Sequence, residues 1–432
     1  MSVIEIFRFS KTEEKIVGAL IFLSPVFFLT IRGWTNGISF ILFAVSLFCV
    51  GREPSAYFKD RDRIFWSCFV CLILPFASEL FVQVFRGQFV PSSLDGPSRF
   101  LIASLLFVLI SRIDVSRLIR LFNFGALLCL PITLCFLLFR FYYSSNSITS
   151  AEKWAGRWSM EFADPNTFAS FFTAVALLVL GAGLKDNRKF IKLILFCCFV
   201  ALCTFVLIKT GSRSGWLGFL FGVFVWGMIV FKGVLKKFAF LILLVVSAFV
   251  LYKNNEIVAS RTDSAMAELS LSPGNKSTGT RIRQVLLEMD LQMIKMQPFL
   301  GWPDGDVPIK FSEIFSSQDD LVVAAAKNIK AMAGSHTELT ARLVRMGLIF
   351  GSISFFSLFI FPFLLIWFGT RRSNQKCRRA NYLGITLFLS SLFVSSFGIQ
   401  ILNLKMFATF YAIVLALLFS SRLSGETSAG DR

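Results

Sequence analysis

Charge is what this sequence has least of. Asp, Glu, Lys and Arg make up 16% of its residues, whereas a soluble domain carries about a quarter. That shortfall, with 55% apolar residues, 53 Phe and a mean hydropathy of +0.70, excludes a soluble globular protein. A small-residue cleavage site is missing from the polar stretch Met1–Lys15, so the apolar run from Ile16 to Ile31 is expected to be a first anchor rather than a cleaved signal. The long polar segment from Lys253 to Arg342 has no cysteine, which excludes disulfides there. Eight of the nine Cys fall inside apolar spans, where a thiol behaves as a small hydrophobe. Cys68 and Cys71 form a C-x-x-C whose apolar setting argues for packing over redox or zinc chemistry.

What the sequence has instead is a succession of uncharged runs long enough to cross hydrocarbon as helices. About twelve spans are expected. They centre on 16–31, 37–50, 64–85, 98–111, 118–139, 165–184, 190–208, 212–231, 238–252, 343–368, 381–401 and 404–421. The net charge of +18 would suggest nucleic acid in a soluble protein. Here the basic residues lie between spans, so nucleic-acid binding is excluded and membrane orientation explains them. With the N-terminus inside, 24 of the 44 Lys and Arg fall on the inward side against 9 in the short outward loops. Both termini are therefore expected to be cytoplasmic. The chain divides into nine spans over 1–252, an outward helical loop over 253–342, three spans over 343–421 and a cytoplasmic tail at 422–432.

The outward loop is the one segment long enough to fold by itself. Ser272-Pro273-Gly274-Asn275 predicts a turn and Thr280 a helix cap. Ile282, Val285, Leu286, Met289, Met293 and Met296 then recur at helical spacing, a stripe that packing explains more simply than a lipid entrance. A second helix is predicted after Asp319-Asp320, ending near Gly334. Asp304-Gly305-Asp306 imitates a metal-binding D-x-D, but between Pro303 and Pro308 it predicts a turn.

Four polar clusters share the outward side. Phe162-Ala163-Asp164-Pro165-Asn166 opens the sixth span, where Asp and Pro suit a helix start. Thr210-Gly211-Ser212-Arg213-Ser214-Gly215 opens the eighth, and an Arg at a membrane helix end beside Gly and Ser lets an anion approach the backbone. A snorkelling Arg beside headgroups would give the same pattern. Arg281 falls in the first turn of its helix, against the dipole, which points to an anionic partner. His336, the single His, precedes the tenth span, and imidazole accepts a proton near neutral pH without special tuning.

In order, these clusters resemble the O-antigen ligase and O-antigen polymerase superfamily of bacterial membrane glycosyltransferases. The resemblance rests on Asp164-Pro165-Asn166, on Gly211-Ser212-Arg213, on Arg281 followed by Pro298 and Gly301, and on His336 followed by Gly347-Leu348-Ile349-Phe350-Gly351. It implies an all-α polytopic fold of the membrane-embedded glycosyltransferase type, in the bacterial inner membrane with its large loop periplasmic. The implied donor is an undecaprenyl-diphosphate-linked glycan, and the implied acceptor is a glycan or lipid A-core. Other polysaccharide-assembly membrane proteins are implied as further partners in the bilayer. Arg213 and Arg281 match the arginines that hold the diphosphate, with Ser212 and Asn166 beside them, and His336 matches the proposed general base. The reaction would be an inverting displacement without cofactor or metal. Two departures, Thr337-Glu338 after His336 and Pro303 in place of a Gly, fall on the acceptor side. They make Glu338 an alternative base and favour polymerase over ligase or protein O-glycosyltransferase.

A twelve-span secondary transporter is the rival from another class. Asp60-Arg61-Asp62-Arg63 superficially suits it, but the chain shows no internal repeat and its long segment follows the ninth span.

Overall fold

The computed structural model describes residues 12–59, 61–143, 157–183, 189–270, 279–314, 337–365 and 376–423. Among them every regular element is helical. In chain order these are α1 Thr12–Val26, α2 Trp34–Arg52, α3 Pro54–Phe58, α4 Arg63–Arg86, α5 Pro91–Ile110, α6 Val115–Tyr143, α7 Pro165–Gly183 and α8 Lys189–Thr210. They continue with α9 Arg213–Val230, α10 Val234–Asn254, α11 Glu256–Ser270, α12 Gly279–Met296, α13 Val307–Ile314, α14 Glu338–Phe355, α15 Lys376–Ser396 and α16 Lys405–Leu423. A π-helical turn, Phe356–Ile360, extends α14. Each of the twelve expected spans overlaps a helix among the described residues. Among the described residues, eight helices are long and apolar enough to cross a membrane, and Phe199–Thr210, Leu383–Ser396 and Lys405–Ser421 are shorter apolar stretches. The chain is an all-α polytopic membrane protein.

The two shortest expected spans, 37–50 and 98–111, are full-length helices here. Polar starts hid them: α5 begins Pro-Ser-Ser-Leu-Asp-Gly-Pro, which hydropathy alone trims away. The first anchor is shorter than expected, since α1 ends at Val26 and turns replace its last residues.

In the bundle centre α7 packs on α15 and α9, and α16 packs on α2, α5 and α6. Hydrocarbon gives no hydrophobic drive between helices, so close backbone approach matters. One such approach is at Gly181 and Gly384, where a Cβ on either residue would overlap the other helix. Aromatic stacking supplies a second contact layer: Phe28 lies 3.9 Å from Phe410, and Phe171 lies 4.4 Å from Phe407. The periphery is apolar and exposed, as lipid requires, and α10 buries none of its residues.

The segment that superficially suited a transporter has a structural role. Arg61 donates to the Tyr57 carbonyl at 2.6 Å and to Ser111 Oγ at 2.8 Å, and lies 4.4 Å over the Phe65 ring. Burial, then the nearby Arg112, hold its pKa down to about 10. Asp62 caps α4 by accepting from the Phe65 amide at 2.7 Å. Of the C-x-x-C, Cys68 and Cys71 are buried free thiols, and Cys71 Sγ donates to the Ser357 carbonyl at 3.0 Å.

Candidate functional site

The starts of α7, α9 and α14 gather at one end of the bundle. Asp164 accepts from the amides of Asn166 and Thr167 at 2.9 and 3.1 Å, which fixes the start of α7. Ser212 does the same for α9: it is fully buried, and its Oγ accepts from the Gly215 amide at 3.2 Å. Gly211 takes φ +57°, the left-handed turn that lets α8 end and α9 begin within two residues.

Two arginines converge on that turn, and a third opens the next helix. Arg157 donates to the Thr210 carbonyl at 2.7 Å, to Asn166 Oδ1 at 3.0 Å and to the Gly211 carbonyl at 3.3 Å. It thereby ties two of the sequence-identified clusters together. A methyl group placed on Gly211 would lie 3.5 Å from Arg157 Nε and 3.6 Å from Arg261 Nε. Arg213, half-buried, begins α9 two residues further on. Guanidinium groups of this number beside a helix N-terminus favour a polyanion, and their planar forks suit phosphate oxygens.

Arg157 and Arg261 are the residues that sequence reasoning missed. Arg157 sits between Gly156 and Trp158, seven residues before Asp164, and an Arg among aromatics at a span start was a usable signal. Arg261 lies on α11 with nothing local to distinguish it. Arg281 stands in the first turn of α12, as expected, but its side chain lies outside the description. His336, the turn at 272–275 and the helix expected after Asp319-Asp320 lie outside the described residues.

On the other flank, Thr337 Oγ1 caps α14 by accepting from the Thr340 amide at 3.1 Å. Glu338 is 5% exposed. Its Oε1 accepts from Arg342 Nε at 3.0 Å and Nη2 at 2.7 Å, and its Oε2 accepts from the Leu402 amide at 3.1 Å. Both oxygens are thus engaged. The Asp304–Asp306 stretch forms the expected turn: the Asp306 and Val307 amides donate to the Pro303 carbonyl, and Asp304 pairs with Arg345 at 2.7 Å. Along α12, Val285, Leu286, Met289 and Met293 are buried in a small core that includes Val344 and Phe311, so the Met-rich stripe packs. Met296 at its end is exposed.

The two glycine motifs form one device. Gly347 takes φ 75° and ψ 177° inside α14 and breaks it. The bond that Leu348 would donate to Val344 in a continuous helix is opened, and the segment 298–302 takes up both halves. The Leu348 amide donates to the Pro298 carbonyl at 2.7 Å, and the Trp302 amide donates to the Val344 carbonyl at 2.7 Å. Both halves of that opened bond are thereby satisfied, as a backbone break at a membrane helix requires. Arg86, from the end of α4, adds donors to the carbonyls of Leu300 and Arg345.

Residues 198–356 match the family model described as O-antigen ligase. That interval runs from α8 to the end of α14 and holds Arg213, Arg261, Arg281, His336 and the glycine break. No curated protein matches the chain.

Proposed function

We propose, from the match of residues 198–356 to the O-antigen ligase family model, that the protein is a polysaccharide or O-antigen polymerase of the O-antigen ligase and polymerase superfamily. It transfers an undecaprenyl-diphosphate-linked glycan to an acceptor glycan at the periplasmic face of the inner membrane. The observation that carries this reading is the convergence of Arg157 and Arg261 on the Gly211-Ser212 turn, where Arg213 opens α9, inside or beside the matched interval.

In this reading the diphosphate sits against the arginines, with Arg281 as a fourth cation. An acceptor hydroxyl oxygen attacks the anomeric carbon, and the bond from that carbon to the diphosphate oxygen breaks. The bonding pair leaves with the diphosphate, whose growing charge the guanidinium groups stabilise. The hydroxyl proton passes to His336, and a single displacement inverts the anomeric configuration. Glu338, with both oxygens held, serves better as a positioning residue than as the base. It ties the start of α14, two residues after His336, to the Leu402 backbone.

The test is reconstitution of the purified protein with lipid-linked repeat units alone. A ladder of lengthened lipid-linked products is expected. Transfer that occurs only after lipid A-core is added would make the protein a ligase, and no transfer to either acceptor would remove the reading.

A further inference from the structure

Near the arginine cluster, and distinct from it, lies a polar cavity of about 210 Å³. Its wall combines Glu79 of α4, the first turns of α5, the start of α14, Asp304 and residues 400–405. The end of α15 and the segment that follows it connect the two places. Ser395 Oγ donates to the Ser214 carbonyl at 3.2 Å, and Leu402 donates to Glu338 in the cavity wall.

The charge of the wall differs from that of the arginine cluster. Three carboxylates, Glu79, Asp304 and Glu338, face three cations, Arg342, Arg345 and Lys405. The lining is therefore balanced and has no excess cation to select a diphosphate. Ser92, Ser93, Gln400 and Asn403 add neutral donors and acceptors, while Pro97 and Phe100 add an apolar patch. Donors and acceptors in alternation suit hydroxyl groups, which are both. An apolar patch opposite them suits the C–H face of a pyranose.

Glu79 is the strongest single pointer. It is 6% exposed and lies within a membrane-crossing helix, where a carboxylate is costly and marks function by default. Gln83 Nε2 donates to its Oε1 at 2.9 Å, and Gln83 Oε1 accepts from the Val90 amide, so the carboxylate is held by a loop anchor. Glu79, the α5 residues and residues 400–405 all lie outside the interval that matches the family model. The unmatched part of the chain thus contributes one side of the wall, and Asp304 with the start of α14 contributes the matched side.

We propose that this cavity binds a neutral pyranose of the acceptor glycan, with Glu79 and Asp304 accepting hydrogen bonds from its hydroxyl groups. The proposal rests on the glycan-transfer reading above and names the acceptor side of the same site.

Gly96 supplies the test, because it lines the cavity and a Cβ there meets nothing within 4 Å. Gly96→Phe should fill the space. Gly37→Phe adds the same ring at an exposed position that is equally free of neighbours and serves as the control. Binding of methyl glycosides of neutral hexoses and N-acetylhexosamines to purified protein in nanodiscs is read by saturation-transfer NMR, with inorganic diphosphate as a separate probe. Gly96→Phe and Glu79→Gln should weaken glycoside binding by about tenfold or more and leave diphosphate binding intact. Arg213→Lys should do the reverse. Glycoside binding absent from the wild type, untouched by Gly96→Phe, or equally lost in Gly37→Phe overturns the proposal. In the transfer assay Gly96→Phe should raise the acceptor KM and not the donor KM; a rise confined to the donor overturns the acceptor assignment. Glycoside binding that follows these rules in a wild type without transfer activity would remove the transferase reading while keeping a sugar site.

Discussion

Gly301 and Gly347 meet backbone to backbone, and neither position admits a side chain. A Cβ on Gly301 would stand 2.6 Å from the Gly347 nitrogen and 2.5 Å from the Val344 carbonyl oxygen, while one on Gly347 would overlap the Phe299 carbonyl. Both residues take positive φ, at 64° and 75°. The contact locks the segment after α12 into the break in α14, and α14 in turn begins at Glu338 beside the polar cavity.

Gly301→Ala and Gly347→Ala should each destabilise the protein by about 2–5 kcal/mol, from left-handed strain and overpacking together. Thermal unfolding in detergent measures this. Gly305→Ala, where a Cβ meets nothing within 4 Å, is the matched control. A melting temperature unaltered by Gly347→Ala would show that the two segments are not locked.

Lysine at any of Arg157, Arg213, Arg261 or Arg281 keeps the charge and loses the planar fork. Transfer should fall by about 10–100-fold at each position, as expected when charge-assisted hydrogen bonds of about 1.5–3 kcal/mol are lost. Arg157→Lys should also lower stability, because Arg157 holds the Thr210 and Gly211 carbonyls. Full transfer by the Arg213 and Arg281 variants would reduce those residues to helix-end anchors.

Glu338 and His336 should separate by readout. Glu338→Gln strands Arg342 in a buried position, where breaking a pair costs about 3–5 kcal/mol. Glu338→Gln combined with Arg342→Met should recover part of that loss. His336→Ala should leave the melting temperature in place and lower turnover by about 10²–10⁴-fold with donor binding retained. Near-normal turnover in His336→Ala, with a stable but inactive Glu338→Gln protein, would move the base to the carboxylate.

The charge asymmetry of the sequence makes a topological prediction. A Cys at Lys276 should react with membrane-impermeant reagents in intact spheroplasts, and a Cys at Asn374 should not. The opposite labelling pattern would turn the site end of the bundle toward the cytoplasm, where the proposed donor does not reside.

The helical, membrane-spanning character was legible because it depends on properties that add along the chain. Hydropathy over about twenty residues marks a span wherever its neighbours go, since lipid forces each backbone to satisfy its own hydrogen bonds. Asp164 and Ser212 were legible for a related reason, because a cap acts on amides two or three residues away. The same local logic recovered the Asp304–Asp306 turn and the buried stripe on α12.

What only the tertiary structure decided are relationships between residues far apart in sequence. Arg157 and Arg261 stand 104 positions apart and meet at Gly211 through helix packing that no local pattern encodes. Glu338 suggested a base by its place after His336, yet its carboxylate is shared by Arg342 and the Leu402 backbone, 64 residues away. Glu79 attracted no notice in an apolar run, and the elements from four parts of the chain that enclose it gave it a cavity. Sequence fixes what a residue can do within its own helix turn, because hydrogen bonds and hydropathy act over a few residues. A site assembled from α4, α5, Asp304, α14 and the segment before α16 exists only once those elements have packed together, and that packing is a property of the folded bundle.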